Sequence, residues 1–117
     1  MRGYIQLETY IMGKEWTVRV LSDKYFKKKN GGGAAAVTKV HKRRIELRPK
    51  FLDRETIVHE LVHAYLYELC IHSTNDMSLA DLEEVFAELM AKRGTELLEK
   101  ADWIENEISS ALRNPQD

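Results

Sequence analysis

The chain has 117 residues, of which 44% are hydrophobic and 32% are charged. This length suits one compact domain, and the balanced composition excludes a disordered or low-complexity protein. A single cysteine, Cys70, excludes an internal disulfide framework and favours a reducing compartment, so we expect a cytoplasmic protein. We expect neither a signal peptide nor a membrane-spanning segment.

The formal net charge of −1 conceals two oppositely charged halves. Residues 1–54 contain 14 Lys and Arg against 5 Asp and Glu, whereas residues 55–117 contain 4 against 14. The two halves are expected to attract each other, or the first half to present a basic face to an acidic partner.

The first strands are predicted from alternating hydrophobicity in residues 4–10 and 16–21. Gly13 and Lys14 are expected to form the turn between them. Residues 23–30 are compatible with either a short helix or a basic loop. The glycines at 31–33 then interrupt any regular structure.

Two further strands are predicted at residues 34–40 and 44–48, joined through residues 41–43. Pro49 ends the second of them, because proline cannot donate a ladder hydrogen bond. Alternation predicts that Ile45 and Leu47 face inward, and that Arg44, Glu46 and Arg48 face outward.

After residue 52 the apolar period becomes helical. Asp53 is the predicted N-cap of the first helix, and Ser78 with Asp81 resembles a capping box for the second. Gly94 and Thr95 are predicted to end the second helix and start a third. The apolar positions of the three helices are Ile57, Val58, Leu61, Val62, Tyr65 and Leu69; Leu79, Leu82, Val85, Phe86, Leu89 and Met90; and Leu97, Leu98, Trp103, Ile104, Ile108 and Leu112.

Strands followed by helices predict an α+β fold, with an antiparallel or mixed β-sheet preceding three helices. We expect one domain over residues 1–117, mainly β in residues 1–50 and mainly α in residues 52–113.

The first helix contains the motif HExxH, as His59-Glu60-Leu61-Val62-His63. Residues four apart lie on one helix face, so both imidazoles can reach a single metal ion. Helical angles place His59 and His63 on a stripe opposite the apolar residues of the same helix. The spacing therefore predicts a zinc site that borders a cleft, against the alternative of two ordinary helix histidines paired with nearby carboxylates.

A catalytic zinc site needs a third protein ligand and an open position for water. The candidates are His72, Cys70, Asp76 and the second helix's carboxylates Asp81, Glu83, Glu84 and Glu88. Helical angles favour Glu84, with Glu83 as the alternative. Glu84 shares its side with Ala80, Ala87 and Ala91, which would permit a close approach between helices. Glu88, one turn beyond Glu84, is a candidate to orient a ligand imidazole.

The sequence HELVH, followed about twenty residues later by EVFAELMA, resembles the gluzincin metallopeptidases. It is similar to the compact ImmA/IrrE-type and related phage- or mobile-element-borne proteases, whose second motif reads roughly E-x-E-A-N-x-F-A. Glu84, Ala87 and Ala91 match that motif, and Phe86, Glu88 and Met90 depart from it. The segment RRIELRP is similar to the edge strand that precedes HExxH in the group.

This resemblance implies a minimal zincin-like fold that holds one Zn²⁺ through His59, His63 and Glu84. It implies hydrolysis of peptide bonds in an intracellular protein, in the host cytoplasm if the chain is phage-encoded. Glu60 would accept a proton from the attacking water as general base. Tyr67 is a candidate oxyanion donor, although an amphipathic packing role is the favoured reading, and His72 is a weaker candidate.

The resemblance also implies that an extended peptide binds along an edge strand over the zinc helix. Residues 31–36 suit such a close backbone approach or, equally, a flexible linker. The expected partner is therefore a protein or peptide substrate, and no membrane partner is expected.

The alternative function is a metal-binding module that acts by protein or DNA contact, in anti-restriction or DNA-associated work, without proteolysis. Its support is a basic series in the first half, whose simpler interpretation is a solvated surface. That series comprises Lys24, Lys27, Lys28, Lys29, Lys39, Lys42, Arg43 and Arg44.

Overall fold

The computed structural model describes residues 4–70 and 78–113. Within these ranges the chain forms four strands, β1 (Tyr4–Ile11), β2 (Lys14–Leu21), β3 (Ala36–Lys39) and β4 (Arg44–Leu47), and three helices, α1 (Asp23–Asn30), α2 (Arg54–Cys70) and α3 (Leu79–Arg113). Short 3₁₀ turns follow β3 at Val40–Lys42 and β4 at Pro49–Phe51. The predicted α+β class is confirmed, and residues 23–30 form a helix rather than a loop.

The four strands form one mixed sheet in the order β1-β2-β4-β3. β1 and β2 make an antiparallel hairpin, β2 pairs in parallel with β4, and β3 pairs antiparallel with β4. β4 is thus an inner strand, so the sequence expectation that RRIELRP forms an edge strand is wrong. β1 and β3 are the edge strands of the sheet. β4 is not, because the chain returns through the 3₁₀ turn and places β4 between β3 and β2.

The β1–β2 hairpin turns at Met12 and Gly13, one residue earlier than predicted. Both residues have positive φ, 51° and 81°. Two consecutive positive φ values match the twist of the flanking strands in a two-residue hairpin, and glycine adopts the second of them without strain.

The two faces of the sheet are covered by different helices. Ile45 and Leu47 face α2 and α3 in the main core, as predicted. Glu46 and Arg48 point away from that core, but they are buried rather than exposed because α1 covers them. Glu46 accepts hydrogen bonds from Lys29 and Asn30 of α1. The alternating polar residues of β4 therefore lie on a sheet face that α1 covers, and not on a face exposed to solvent.

α3 is one continuous helix of 35 residues, so the predicted break at Gly94–Thr95 is wrong. Gly94 is buried inside it, and the helix continues because Leu89, Leu97 and Ala101 pack in the core on both sides of the glycine. Among the apolar positions of the predicted third helix, for which helical spacing predicts burial, three are exposed: Leu98, Trp103 and Leu112. In the part of the chain that the structure describes, no helix combines the length and apolarity needed to cross a membrane.

Candidate metal centre

The helix that carries HExxH starts where its N-cap was predicted. The carboxylate of Asp53 accepts a hydrogen bond from the Thr56 backbone N–H at 2.7 Å. That hydrogen bond lowers the pKa of Asp53, because it stabilises the ionised carboxylate. The negative charge of Asp53 at this end also interacts favourably with the positive end of the helix dipole. The start of α2 is therefore fixed by a local sequence signal.

The apolar stripe of α2 lies in the core, and the histidine stripe does not. Ile57, Leu61 and Tyr65 are buried, whereas His59 and His63 are exposed. The predicted separation of the two stripes is thus confirmed. The two histidines lie on the exposed side of α2.

The two imidazoles converge. The Nε2 atoms of His59 and His63 lie 3.3 Å apart, with ring centroids 4.9 Å apart and planes inclined by 74°. Two nitrogens that each bind one tetrahedral zinc ion at about 2.05 Å are about 3.3 Å from each other. The donor chemistry and the observed separation therefore both fit two ligands of a single zinc ion.

Glu60 lies between the histidine stripe and the edge strand β3. Its side chain is only 6% exposed. The hydroxyl of Thr38 in β3 donates a hydrogen bond to Glu60 Oε1 at 2.6 Å. One carboxylate oxygen of Glu60 is thus engaged by the sheet edge.

A concavity of about 390 Å³ opens beside these residues. Its walls come from the start of α2, through Glu55, Thr56, His59 and Glu60, and from the small residues 34–36 that lead into β3. The predicted cleft is therefore present beside His59 and Glu60, and residues leading into the edge strand β3 form one of its walls.

The position of the predicted third ligand depends on how α3 crosses α2. Arg54 pairs with Asp102 at 2.7 Å, and the Tyr65 hydroxyl donates to Glu96 at 2.5 Å. Moving forward along α2 therefore means moving backward along α3, and the two helices run antiparallel.

Glu84 lies near the start of α3 and is exposed. Leu66, almost one turn beyond His63, shares an apolar concavity with Glu83 and Phe86 in that part of α3.

Within residues 4–70 and 78–113, no three His, Cys, Asp or Glu side chains are grouped as metal ligands. Glu84 as third ligand, with Glu83 as its alternative, therefore stays a prediction. His72 and Asp76 lie outside the described residues. Asp81 instead caps α3 through its hydrogen bonds with Ser78, which confirms the capping box.

The remaining sequence candidates have structural contacts of their own. Glu88 pairs with Lys92 at 2.8 Å rather than with an imidazole. The Tyr67 ring packs edge-on against Trp16 and His41, with centroids 6.4 and 6.0 Å away. These contacts support the amphipathic packing role for Tyr67.

Thr38 is the site residue that the sequence did not reveal. Its register opposite Ile45 places it on the core face of the sheet, but only the position of β3 at the edge brings it to Glu60. Strand alternation predicts the sheet face on which Thr38 lies, but no local sequence signal predicts that α2 packs beside it.

Comparison with known proteins adds no relative. No protein-family model matches the chain, and no curated protein or solved structure gives a significant match.

Proposed function

We propose that the protein is a zinc-dependent peptidase that acts on an intracellular protein. The observation that carries this proposal is the 3.3 Å separation of the His59 and His63 Nε2 atoms, with the Glu60 carboxylate next to them at the cleft. Zinc, when bound, polarises the scissile carbonyl and lowers the pKa of water toward neutrality.

Glu60 is the general base in this proposal. Thr38 holds Oε1, so Oε2 is the oxygen that accepts the proton of the attacking water and later passes it to the leaving amine. Glu60 is only 6% exposed, so little bulk solvent competes with one bound water for the carboxylate. The chain thus supplies a positioned base from α2 and a fixed wall from β3.

Glu84 is the proposed third zinc ligand, as the resemblance to gluzincins implies. Glu84 is exposed near the start of α3, the helix that packs against α2. Zinc stoichiometry of Glu84→Gln against Glu83→Gln tests this assignment. Loss of zinc only in Glu84→Gln supports it, and loss only in Glu83→Gln transfers the role to Glu83.

The substrate is proposed to bind as an extended peptide along β3. In the described part of the chain β3 pairs only with β4, which leaves its other edge available for strand addition. The alanines at 34–36 allow a second backbone to approach the cleft closely. The lone cysteine supports the cytoplasm as the place of action.

The replacement Glu60→Gln tests the function directly. We expect Glu60→Gln to keep one zinc per chain and to lose about 10²- to 10⁴-fold in peptide cleavage, because proton transfer is removed and ligation is not. Glu55→Gln is the matched control, since Glu55 lies on the same helix and lines the same cleft. The readouts are zinc content and the turnover of a fluorogenic peptide library.

Two outcomes would count against the peptidase. One is cleavage by Glu60→Gln at the rate of the unaltered protein. The other is a protein that holds stoichiometric zinc and cleaves no member of the library, which would favour a metal-binding module acting by contact.

A further inference from the structure

Helix α1 presents a dense set of cations on the sheet face opposite the HExxH helix. Four of its eight residues are lysines, at positions 24, 27, 28 and 29. The helix is anchored by the buried Phe26, over whose ring Arg48 lies at 5.2 Å, and by the ion pair of Arg48 with Asp23. The lysines therefore project from a fixed platform rather than from a loose segment.

The acidic groups beneath this platform do not neutralise it. Glu46, which is 0% exposed, pairs with three cations, Lys29 at 2.8 Å, Lys39 at 3.1 Å and Arg44 at 3.5 Å. One negative charge thus faces three positive charges, and a positive excess remains at the surface.

Other lysines of α1 are still less compensated. Lys27 shares Asp23, whose other oxygen already binds Arg48, and its ammonium lies 3.5 Å from that carboxylate. Among the described residues, Lys24 and Lys28 have no acidic partner within ion-pair distance. Surface pairs such as Lys27–Asp23 contribute little free energy, so Lys27 is readily recruited by another anion.

A concavity of about 500 Å³ lies among these lysines. Its walls are Ser22, Lys24, Tyr25, Lys28 and Lys29. The Tyr25 side chain is 50% exposed, with its ring among the cations. An exposed aromatic ring flanked by cations is the arrangement that binds single-stranded nucleic acid, because bases stack on the ring while ammonium groups contact phosphates.

We infer that the α1 face binds single-stranded nucleic acid, with phosphates on Lys24, Lys27 and Lys28 and a base stacked on Tyr25. An acidic protein segment would satisfy the lysines but would leave the exposed ring without a matching partner. The α1 face is separated from the zinc helix by the sheet, so this inference does not depend on the proposed peptidase.

Fluorescence anisotropy with a labelled oligothymidylate tests the inference. Three phosphate contacts predict that affinity falls about 20-fold between about 50 and 200 mM salt, because each contact releases counterions from the strand. The double variant Lys24→Gln/Lys28→Gln should reduce this salt-dependent fall in affinity to about threefold, and it should bind more weakly at low salt. Lys14→Gln/Lys92→Gln removes the same charge from exposed sites outside the α1 face and should bind like the unaltered protein.

Tyr25 separates a nucleic-acid site from a generic anion site. Tyr25→Ala should weaken oligothymidylate binding at least about fivefold, and Tyr25→Phe should preserve it, because stacking uses the ring and not the hydroxyl. Circular dichroism and zinc content should match those of the unaltered protein in every variant.

The inference is overturned by absent binding, by equal loss in the Lys14/Lys92 control, or by unchanged binding in Tyr25→Ala. Equal affinity for poly-glutamate would also overturn it and would assign the face to an acidic protein. Preference for a duplex of the same length over the single strand would remove the stacking role of Tyr25.

Discussion

Glu60 is held by a residue that lies 22 positions earlier in the chain. The Thr38 hydroxyl reaches the Glu60 carboxylate across the gap between sheet edge and helix and holds one of its oxygens. In the proposed peptidase, this would orient the base before a substrate binds. A base whose orientation is set in advance loses less freedom when it accepts a proton. At the residue scale, the cleft therefore depends on two side chains from different elements.

The replacement Thr38→Val tests this dependence. It keeps the side-chain shape and removes the hydrogen bond to a charged group, so we expect kcat to fall about 10-fold with zinc content unchanged. Thr38→Ser keeps the hydroxyl and should restore most of the rate. A rate for Thr38→Val equal to that of the unaltered protein would show that Glu60 needs no support from β3.

At the scale of elements, the sequence predicts types better than boundaries and partners. The caps at Asp53 and Ser78 and the pairing of β1 with β2 depend on neighbouring residues, and their predictions are confirmed except for the hairpin turn, which lies one residue earlier. The order of β4 and β3, the cover over Glu46 and the continuity through Gly94 depend on tertiary packing, which local patterns do not encode.

Gly94 offers a direct measure of that packing. A Cβ added there would meet only the Met90 Cε, at an ordinary 3.5 Å. We therefore expect Gly94→Ala to raise the free energy of unfolding by about 0.5–1 kcal/mol, since alanine loses less backbone entropy in a helix. Urea denaturation measures the change.

Gly31→Ala is the opposing control, because Gly31 caps α1 with φ of +81°, where a Cβ is strained. It should destabilise the protein. Destabilisation by Gly94→Ala would instead indicate that α3 needs a flexible point at residue 94.

The contact between α1 and the sheet predicts an acid-sensitive component of stability. Burial alone would raise the pKa of Glu46, but hydrogen bonds from Lys29, Asn30 and Lys39 outweigh it and lower the pKa from 4.5 to about 2. A lowered carboxylate pKa stabilises the fold above the unfolded-state value, and this contribution is lost as the pH falls from about 4.5 toward 2.

We expect the Glu46 carboxylate to contribute about 2 kcal/mol less to the free energy of unfolding at about pH 3 than at about pH 6. Urea denaturation of Glu46→Gln beside the unaltered protein measures it. The stability gap between the two proteins should narrow by that amount on acidification, and a gap independent of pH would contradict the assignment.

At the scale of the whole molecule, only some residues of the basic half form ion pairs with residues of the acidic half. Arg43 pairs with Glu68 at 2.6 Å and Arg54 with Asp102 at 2.7 Å, which joins the basic half to the helices of the acidic half. The lysines of α1 lie on the far side of the sheet and stay unmatched by those helices. The charge split therefore serves both cohesion and an outward basic face.

Zinc should stabilise the whole fold if His59 and His63 bind it. At free zinc about 100-fold above the dissociation constant, we expect a gain of about 2.7 kcal/mol and a rise in Tm of about 10 °C over chelator-treated protein. Differential scanning fluorimetry measures it. His63→Ala should abolish the rise and Lys14→Gln should keep it, while an unchanged Tm in the unaltered protein would argue against zinc binding.

The contact of α3 with β1 has a consequence for biosynthesis. Lys100 Nζ donates to Thr9 Oγ1 at 2.8 Å, and these residues are 91 positions apart. At about 5–20 residues per second, the ribosome adds Lys100 roughly 5–18 s after Thr9. During that interval β1 and β2 lack the contact with α3, so their apolar residues stay exposed to chaperones and to other unfolded chains.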